Sequence, residues 1–458
     1  MRTLLWFRGK DLRVADHAPL LEAARGELIP IFVLDPYFFA PERARKLPHR
    51  LQFLLESLQA LRANLEHLGT RLVLATGKSV SVVPELAARF RVDRVLAHRW
   101  SEPFGQERDR RVAAALAVPF ELFEGETLAA PGSLLTEGGT PFSVYTPFAR
   151  AFRARVNVSS PLAAPVRLPP LPEEVAAAAP REELPTLESL GIARNPRLLP
   201  GGERAGRERL AAFLAGPLES YDTARERLDL EGTSRLSADL KFGTLSARTV
   251  YNATVNSSAR EAAVEKFRAE LLWREFTHHT LAQRPELLSQ PFRPDFSGFP
   301  WRDDDASWHA WREGRTGFPI VDAAARQLLA EGFVHNRARM IAASFLTKQL
   351  LISYQRGEAH YLELLTDGDY AQNNAGWQWS AGCGCDAQPY FRIFNPTVQA
   401  KRYDPAREYV RRWLPELDTP GYPKPIVDHA QARVRFLQVA ATHLRAARLR
   451  SGTTRPPR

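Results

Sequence analysis

Over the first 130 residues, short apolar runs alternate with stretches of helical spacing. Leu4–Phe7, Leu28–Leu34, Leu72–Ala75, Val92–His98 and Val118–Phe123 read as buried strands. Between them, Leu51–Leu68, Val82–Phe90 and Gly105–Ala117 carry Leu and Ala at helical spacing. This β-α-β-α order predicts a parallel sheet covered on both faces. No GxGxxG follows the first run, so a classical dinucleotide site is not supported. Residues 161–200 hold nine of the 35 prolines. Proline cannot donate to helix or sheet ladders, so this stretch reads as an extended surface connector. From Arg204 onward long helical segments dominate. The predicted organisation is a Rossmann-like α/β domain over 1–130, a connector over 131–200 and an all-α domain over 201–458, with no solenoid repeat.

Composition narrows the class without naming an activity. At 458 residues the chain suits two or three domains, and its 44% hydrophobic and 25% charged content argues against disorder. No apolar run is long enough to span a membrane, and MRTLLWFRGKDLR lacks the apolar core and cleavage site of a signal peptide. Two cysteines, Cys383 and Cys385, leave no disulfide framework and supply only two of the roughly four ligands a structural zinc needs. A cytoplasmic, metal-free protein is expected. The net charge of +10 suits nucleic-acid binding, because Arg and Lys contacts to phosphate release counterions. Residues 401–458 alone hold 13 basic against 5 acidic residues.

Four segments could carry chemistry. On the helix predicted over Glu261–Leu281, Glu270, Trp273, Arg274 and Thr277 fall at i, i+3, i+4 and i+7, and would stack an acid, an aromatic plate and a guanidinium on one face. That set suits a planar, hydrogen-bonding, anionic ligand, although a surface Glu–Arg pair beside a half-buried Trp is the commoner outcome. Over Phe333–Leu351, Asn336, Arg339, Met340 and Ala343 share a face, and Asp367 or Asp369 could partner Arg339. The bland role for Asp369 is to cap the next helix. The stretch 373–379, NNAGWQW, belongs with six tryptophans at 273, 301, 308, 311, 377 and 379. Glu231–Ser237 places a glycine and three hydroxyls before a helical run, which is either a phosphate site or a simple cap.

Together these segments resemble the photolyase/cryptochrome flavoproteins, most closely the bacterial class I cyclobutane pyrimidine dimer photolyases. The resemblance is carried by WFRGKDLRVADHAPL (6–20), VYTPFAR (144–150), EGTSRLSADLKFGTLS (231–246), ELLWREF (270–276) and GRTGFPIVDAAARQL (314–328). It continues through HNRARMIAASFLTKQLL (335–351), DGDYAQNNAGWQW (367–379) and YFRIFNP (390–396). It spans nearly the whole chain and is densest over 220–400.

The resemblance implies an antenna domain over 1–130 and an FAD- and DNA-binding domain over 201–458. Tyr221, Thr233, Ser234, Leu236 and Ser237 would hold the FAD phosphates. Asp367 and Asp369 would contact the ribose–flavin region, with Arg339 paired to Asp367, and Asn373 would face flavin N5. Trp273 and Trp379 would wedge a flipped-out dimer, Glu270 would hydrogen-bond it, Asn336 would touch it and Met340 would pack on it. A Met at 340 favours a dimer photolyase over a (6-4) enzyme, which carries a paired-His arrangement there. Arg225, Arg274, Arg337 and Lys401 would meet DNA phosphates.

The implied activity is blue-light-driven repair of pyrimidine dimers by electron transfer from reduced FAD, in a monomer without metal. The alternative is a cryptochrome-type photoreceptor, which would more naturally carry a C-terminal extension longer than SGTTRPPR. Two departures from the family pattern stand out. Trp377 and Trp301 match the proximal and distal positions of a tryptophan relay whose middle place is held by Tyr354, so photoreduction is expected to be slow or rerouted through Trp308 or Trp311. The stretch 101–109, SEPFGQERD, is similar to deazaflavin- or FMN-type members rather than folate-type ones, yet Trp100 stands where a polar residue is expected.

Overall fold

A computed structural model describes residues 1–255, 257–386 and 391–451. Tyr390 of the YFRIFNP motif and residues 452–458 of the tail lie outside them. The chain divides into two compact units: Met1–Pro141, Phe148–Glu219 and Ser234–Gln283 form the first, and Phe142–Pro147, Ser220–Thr233 and Arg284–Arg458 the second.

The first unit is built on five strands, β1 (Arg2–Phe7), β2 (Glu27–Leu34), β3 (Val73–Thr76), β4 (Arg94–His98) and β5 (Phe120–Phe123), all parallel in the order β3-β2-β1-β4-β5. The strand period of two sends alternate side chains to opposite faces. Leu5, Phe7, Phe32 and Leu34 pack with Leu51, Leu54, Leu58 and Leu61 of the helix Pro48–His67. Leu4, Trp6, Ile29, Ile31 and Val33 pack with Val83 and Leu86 of the helix Ser79–Arg89 and with Val112 of the helix Pro103–Ala115. Both faces are covered, as the uninterrupted apolar runs predict.

The connector is not wholly extended. Glu173–Ala178 forms a short helix whose Val175 is buried against the second face of the sheet, a local preference of EEVAAA that the flanking prolines obscure. The helices Glu203–Ala215, Ser237–Phe242, Ala247–Ala253 and Glu261–Gln283 also belong to the first unit, so the compact units do not divide at residue 200. Buried polar contacts between distant segments hold them there. Glu203 accepts from the backbone of Val14 and Ala15, Asp16 accepts from Ser246 and pairs with Arg248, and Phe53 stacks on Phe242.

The second unit is helical around one apolar cluster that includes Trp308, Trp311, Phe345, Leu346, Tyr361, Trp377 and Phe436. The helix predicted over Phe333–Leu351 is regular only over Asn336–Ser344. It widens into a π turn at Phe345–Gln349, where Lys348 and Gln349 turn inward to donate to the carbonyls of Arg392 and Phe394. No helix among the described residues is long and apolar enough to cross a membrane.

Candidate functional site

In the first unit, the helix Glu261–Gln283 has one side fastened to the segment after β5. Arg274 Nη1 donates to Glu126 O (2.8 Å), Glu275 Oε2 accepts from the backbone N–H groups of Leu128 and Ala129 (2.8 and 3.2 Å), and His279 Nε2 lies 3.1 Å from Ala129 O. His278 Nδ1 meets Ser101 Oγ at 2.7 Å. Burial pushes the Glu275 carboxyl up to about 7. The expected four-residue face therefore splits. Arg274 and Thr277 are buried with this fastening, whereas Glu270 and Trp273 stay half-buried, Glu270 with Lys266 at 3.9 Å and Trp273 edge-on to Phe276. Arg274 is thus corrected from a DNA contact to a structural residue, since its guanidinium is 5% exposed and committed to a backbone carbonyl. Ser234 and Ser237 are half-buried and Leu236 buried where the chain enters the helix Ser237–Phe242. Arg235 has a φ of 54°, and Leu236 N bonds Ser234 Oγ at 3.4 Å.

In the second unit the polar residues converge around the helix Tyr370–Ala381. Asp369 caps it, accepting from Ala371 N (3.0 Å) and Gln372 N (3.1 Å). The expected Arg339–Asp367 pair is present: Arg339 Nη2 lies 3.1 and 2.8 Å from the two carboxylate oxygens, and Arg339 Nε donates to Val334 O. Asn373 Nδ2 donates to Glu358 O (3.0 Å), which fixes the amide and leaves Oδ1 as its acceptor. Asn374 Nδ2 donates to Glu358 Oε1 (3.0 Å) and Leu287 O, while Gln378 ties Phe292 N to Leu287 O. Glu358, Asn374 and Gln378 are positioning residues that sequence reasoning missed. Gln378 sits four places after Asn374 on one helix face, a readable signal, whereas Glu358 carried none. Burial pushes the Glu358 carboxyl up to about 7.

Asn336 is exposed, with Nδ2 3.8 Å from Met340 Sδ on the same helix face. Trp379 is half-buried, and Gly384 lies so close that a Cβ there would meet Trp379 N at 2.6 Å. Tyr221 is buried under the Arg225 guanidinium (5.6 Å), and Thr233 is half-buried. Arg337 pairs with Glu226 and covers the Tyr403 ring, and Lys401 is exposed. Tyr354 packs edge-on to Trp301 at 6.3 Å, but among the described residues it makes no ring contact with Trp377.

A cofactor with polar groups fits this unit. Thr366 Oγ1, next to Asp367, is buried and has no hydrogen-bond partner among the described residues, the condition of a group that awaits a polar ligand. Among the described residues of the first unit, a metal does not fit the cluster Asp11, His17 and His98, whose ligand atoms lie within 4.8 Å of one another. His17 Nδ1 accepts from Leu20 N, so Nε2 of the neutral ring carries the proton and offers no lone pair to a metal. It lies 3.8 Å from the Asp11 carboxylate, too far for a hydrogen bond.

Two family models match the chain: DNA photolyase over residues 3–172 and the FAD binding domain of DNA photolyase over 267–420. A deoxyribodipyrimidine photo-lyase of Thermus thermophilus is 42% identical over 440 residues, covering 95% of this chain and 98% of that one. The chain belongs to the DNA photolyase family. Among solved structures, a class III photolyase from Agrobacterium tumefaciens superposes with a TM-score of 0.87 at 34% identity, covering 97% of this chain and 98% of that one. A Synechocystis cryptochrome gives 0.86 at 28% identity, covering 95% and 98%. The likeness therefore covers both the sheet-containing region and the helical region of this photolyase-family chain, and the FAD-binding match encloses Glu270, Trp273, Asn336, Arg339, Met340, Asp367, Asp369, Asn373 and Trp379.

Proposed function

We propose that this chain is a deoxyribodipyrimidine photo-lyase that uses blue light to split cyclobutane pyrimidine dimers in DNA. The observation that carries the reading is the rigid polar set Asn373, Arg339 and Asp367 beside the unpaired buried hydroxyl of Thr366, within a segment that matches a photolyase FAD-binding domain. FAD, bound and reduced, supplies the light absorption and the electron. The chain's residues supply the rest. Tyr221, Thr233, Ser234, Leu236 and Ser237 bind the phosphates, while Asp367, held by Arg339, and Asp369 orient the ribose–flavin region. Asn373, its Nδ2 committed to Glu358 O, offers Oδ1 to an N–H at flavin N5.

Trp273 and Trp379 hold the flipped dimer, whose extrusion is cheapened because a damaged pair is already weakened. Asn336 and Met340 complete its contacts. Glu270 hydrogen-bonds the thymine carbonyl and N–H groups and so stabilises the negative charge the dimer takes up. Breaking both cyclobutane C–C bonds leaves two thymines with no net redox change, and these residues would hold the dimer and its charge while it happens. Exposed Lys401 and the partly buried Arg337 contact the DNA backbone, while Arg225, buried at 9% over Tyr221, serves the fold as Arg274 does.

In this reading residues 1–130 serve as the antenna domain, 131–200 as connector and 201–458 as the FAD- and DNA-binding region of a cytoplasmic monomer. A deazaflavin or FMN antenna is favoured over folate. That preference rests on the stretch 101–109. The unpaired buried donors Arg8 Nε, Arg8 Nη2 and Trp100 Nε1 just beyond β1 and β4, with Arg108 4.4 Å over Trp100, support a polar ligand of either kind there. Sheets of this topology bind ligands beyond their carboxyl ends, where the strand order reverses.

The test is flavin content together with dark binding to matched oligonucleotides. The expected result is about one FAD per chain and binding tighter to the dimer-containing strand by at least tenfold, about 1.4 kcal/mol. Equal affinity for damaged and undamaged DNA, with FAD bound, would instead favour a cryptochrome-type photoreceptor.

A further inference from the structure

Three tryptophans of the second unit form a continuous ring series that the Trp301–Tyr354 pair does not share. Trp377 meets Trp311 edge-on at 6.0 Å between centroids, and Trp311 stacks on Trp308 at 5.4 Å and 25°. Trp377 is 4%, Trp311 1% and Trp308 6% exposed, while Trp301 is half-buried, and Arg356 lies 4.5 Å over Trp308. Arg356 is itself paired with Asp305 and Asp303, so the charge beside Trp308 is not a lone cation.

Chemistry separates the two routes. A tyrosine must lose its proton when oxidised, and the Tyr354 hydroxyl, with no acceptor among the described residues, has only water to take it. Burial also raises its phenol well above the ordinary range. An indole can lose an electron and keep its proton, so a hole can cross Trp377 and Trp311 with no proton leaving either. Trp311 Nε1 donates to Ala342 O at 3.1 Å, and a backbone carbonyl cannot take that proton, so a hole on Trp311 stays mobile. Trp308 Nε1 makes no hydrogen bond with another described residue and is not among the polar atoms sealed from solvent.

We propose that Trp377, Trp311 and Trp308 are the working electron path of this protein, with Trp308 the terminal donor and Tyr354 bypassed. The inference rests on the reading that Trp377 adjoins the bound flavin. One electron leaves Trp377 for light-excited oxidised FAD, Trp311 refills Trp377, and Trp308 refills Trp311. The Trp308 indole releases its Nε1 proton to water and recovers a hydrogen atom from an external thiol. The net transfer is one electron from thiol to flavin and one proton to water.

The test compares Trp308→Phe, Tyr354→Phe and Trp377→Phe in the FAD-loaded full chain. It reads the initial rate of flavin photoreduction with a thiol donor, the Tm of each variant, and the site of tryptophan oxidation by peptide mass spectrometry after illumination in air without thiol. Site mapping uses the unaltered protein and depends on neither repair nor the folding of a variant. Photoreduction is expected to slow about tenfold or more in Trp308→Phe and Trp377→Phe and less than about twofold in Tyr354→Phe, with oxidation products at Trp308. An unchanged rate in Trp308→Phe, a tenfold loss in Tyr354→Phe, or products confined to Trp301 would overturn the path. An unchanged rate in Trp377→Phe would overturn it too, and would separately remove Trp377 as the flavin's neighbour.

Discussion

Gly357 lies inside the helix Tyr354–Leu364, where replacing glycine by alanine ordinarily stabilises by about 1 kcal/mol. Here the sign should reverse. A Cβ at 357 would lie 2.3 Å from Trp377 Cη2, 2.4 Å from Cζ3 and 2.7 Å from Leu346 Cδ2, roughly 1 Å inside normal contact for the ring. The ring can recede only by disturbing Tyr361 at 5.1 Å and Trp311 at 6.0 Å, which back it on other sides. Overpacking of this kind costs about 1–3 kcal/mol, and a rigid aromatic held from behind belongs at the upper end. Subtracting the propensity gain leaves a net destabilisation of about 2 kcal/mol for Gly357→Ala. Denaturant unfolding measures it as a lower midpoint at unchanged m value. Because the same clash displaces the ring, flavin photoreduction should slow as well. A variant more stable than the parent, with unchanged photoreduction, would refute the packing argument.

Three further outcomes follow from the same geometry. Glu358 holds its proton more tightly folded (about 7) than unfolded (4.5), so its contribution is complete below about pH 4.5 and is lost as pH rises through about 7. Relative to Glu358→Gln, the parent should therefore lose on the order of 3 kcal/mol between pH 4.5 and 8, read from paired unfolding curves. Arg274→Ala should lower stability by about 3 kcal/mol and leave the salt slope of DNA binding intact, because it strips a partner from buried groups. Lys401→Ala should do the reverse, leaving stability unchanged and reducing the log–log salt slope by about 1 in a binding titration.

Where period and burial coincide, the amino-acid pattern was enough. Each strand of the sheet begins within about two residues of its apolar run. Strands β1 to β4 are buried along nearly their whole length, so little polar sequence blurs them. At the sheet edge β5, with Glu121 exposed, is marked by Phe120, Leu122 and Phe123. The helix bearing Glu270 and Trp273 was equally legible, but its exposed side was not. Spacing put Arg274 and Thr277 on the same face as Glu270, and only the backbone groups of 126–129, far earlier in the chain, decide that Arg274 turns inward. The same limit hid the attachment of the helices Glu203–Ala215 and Ala247–Ala253, which depends on Glu203 meeting Val14 and Arg248 meeting Asp16. Asp369 illustrates a residue with two readings that are compatible, since a helix cap is also a fixed carboxylate. Trp308 and Trp311 were visible as tryptophans, but their stacking on one another and against Trp377 is tertiary.

The most direct measurement of the central claim is the number of thymines restored per absorbed photon. It uses the FAD-loaded, reduced protein with a dimer-containing oligonucleotide, in blue light and in the dark, beside Glu270→Ala. The account predicts repair only in light, flavin returned to its starting redox state, and a lower yield in Glu270→Ala at unchanged flavin content. Reduced FAD bound and illuminated, DNA bound, and no thymine restored would contradict it.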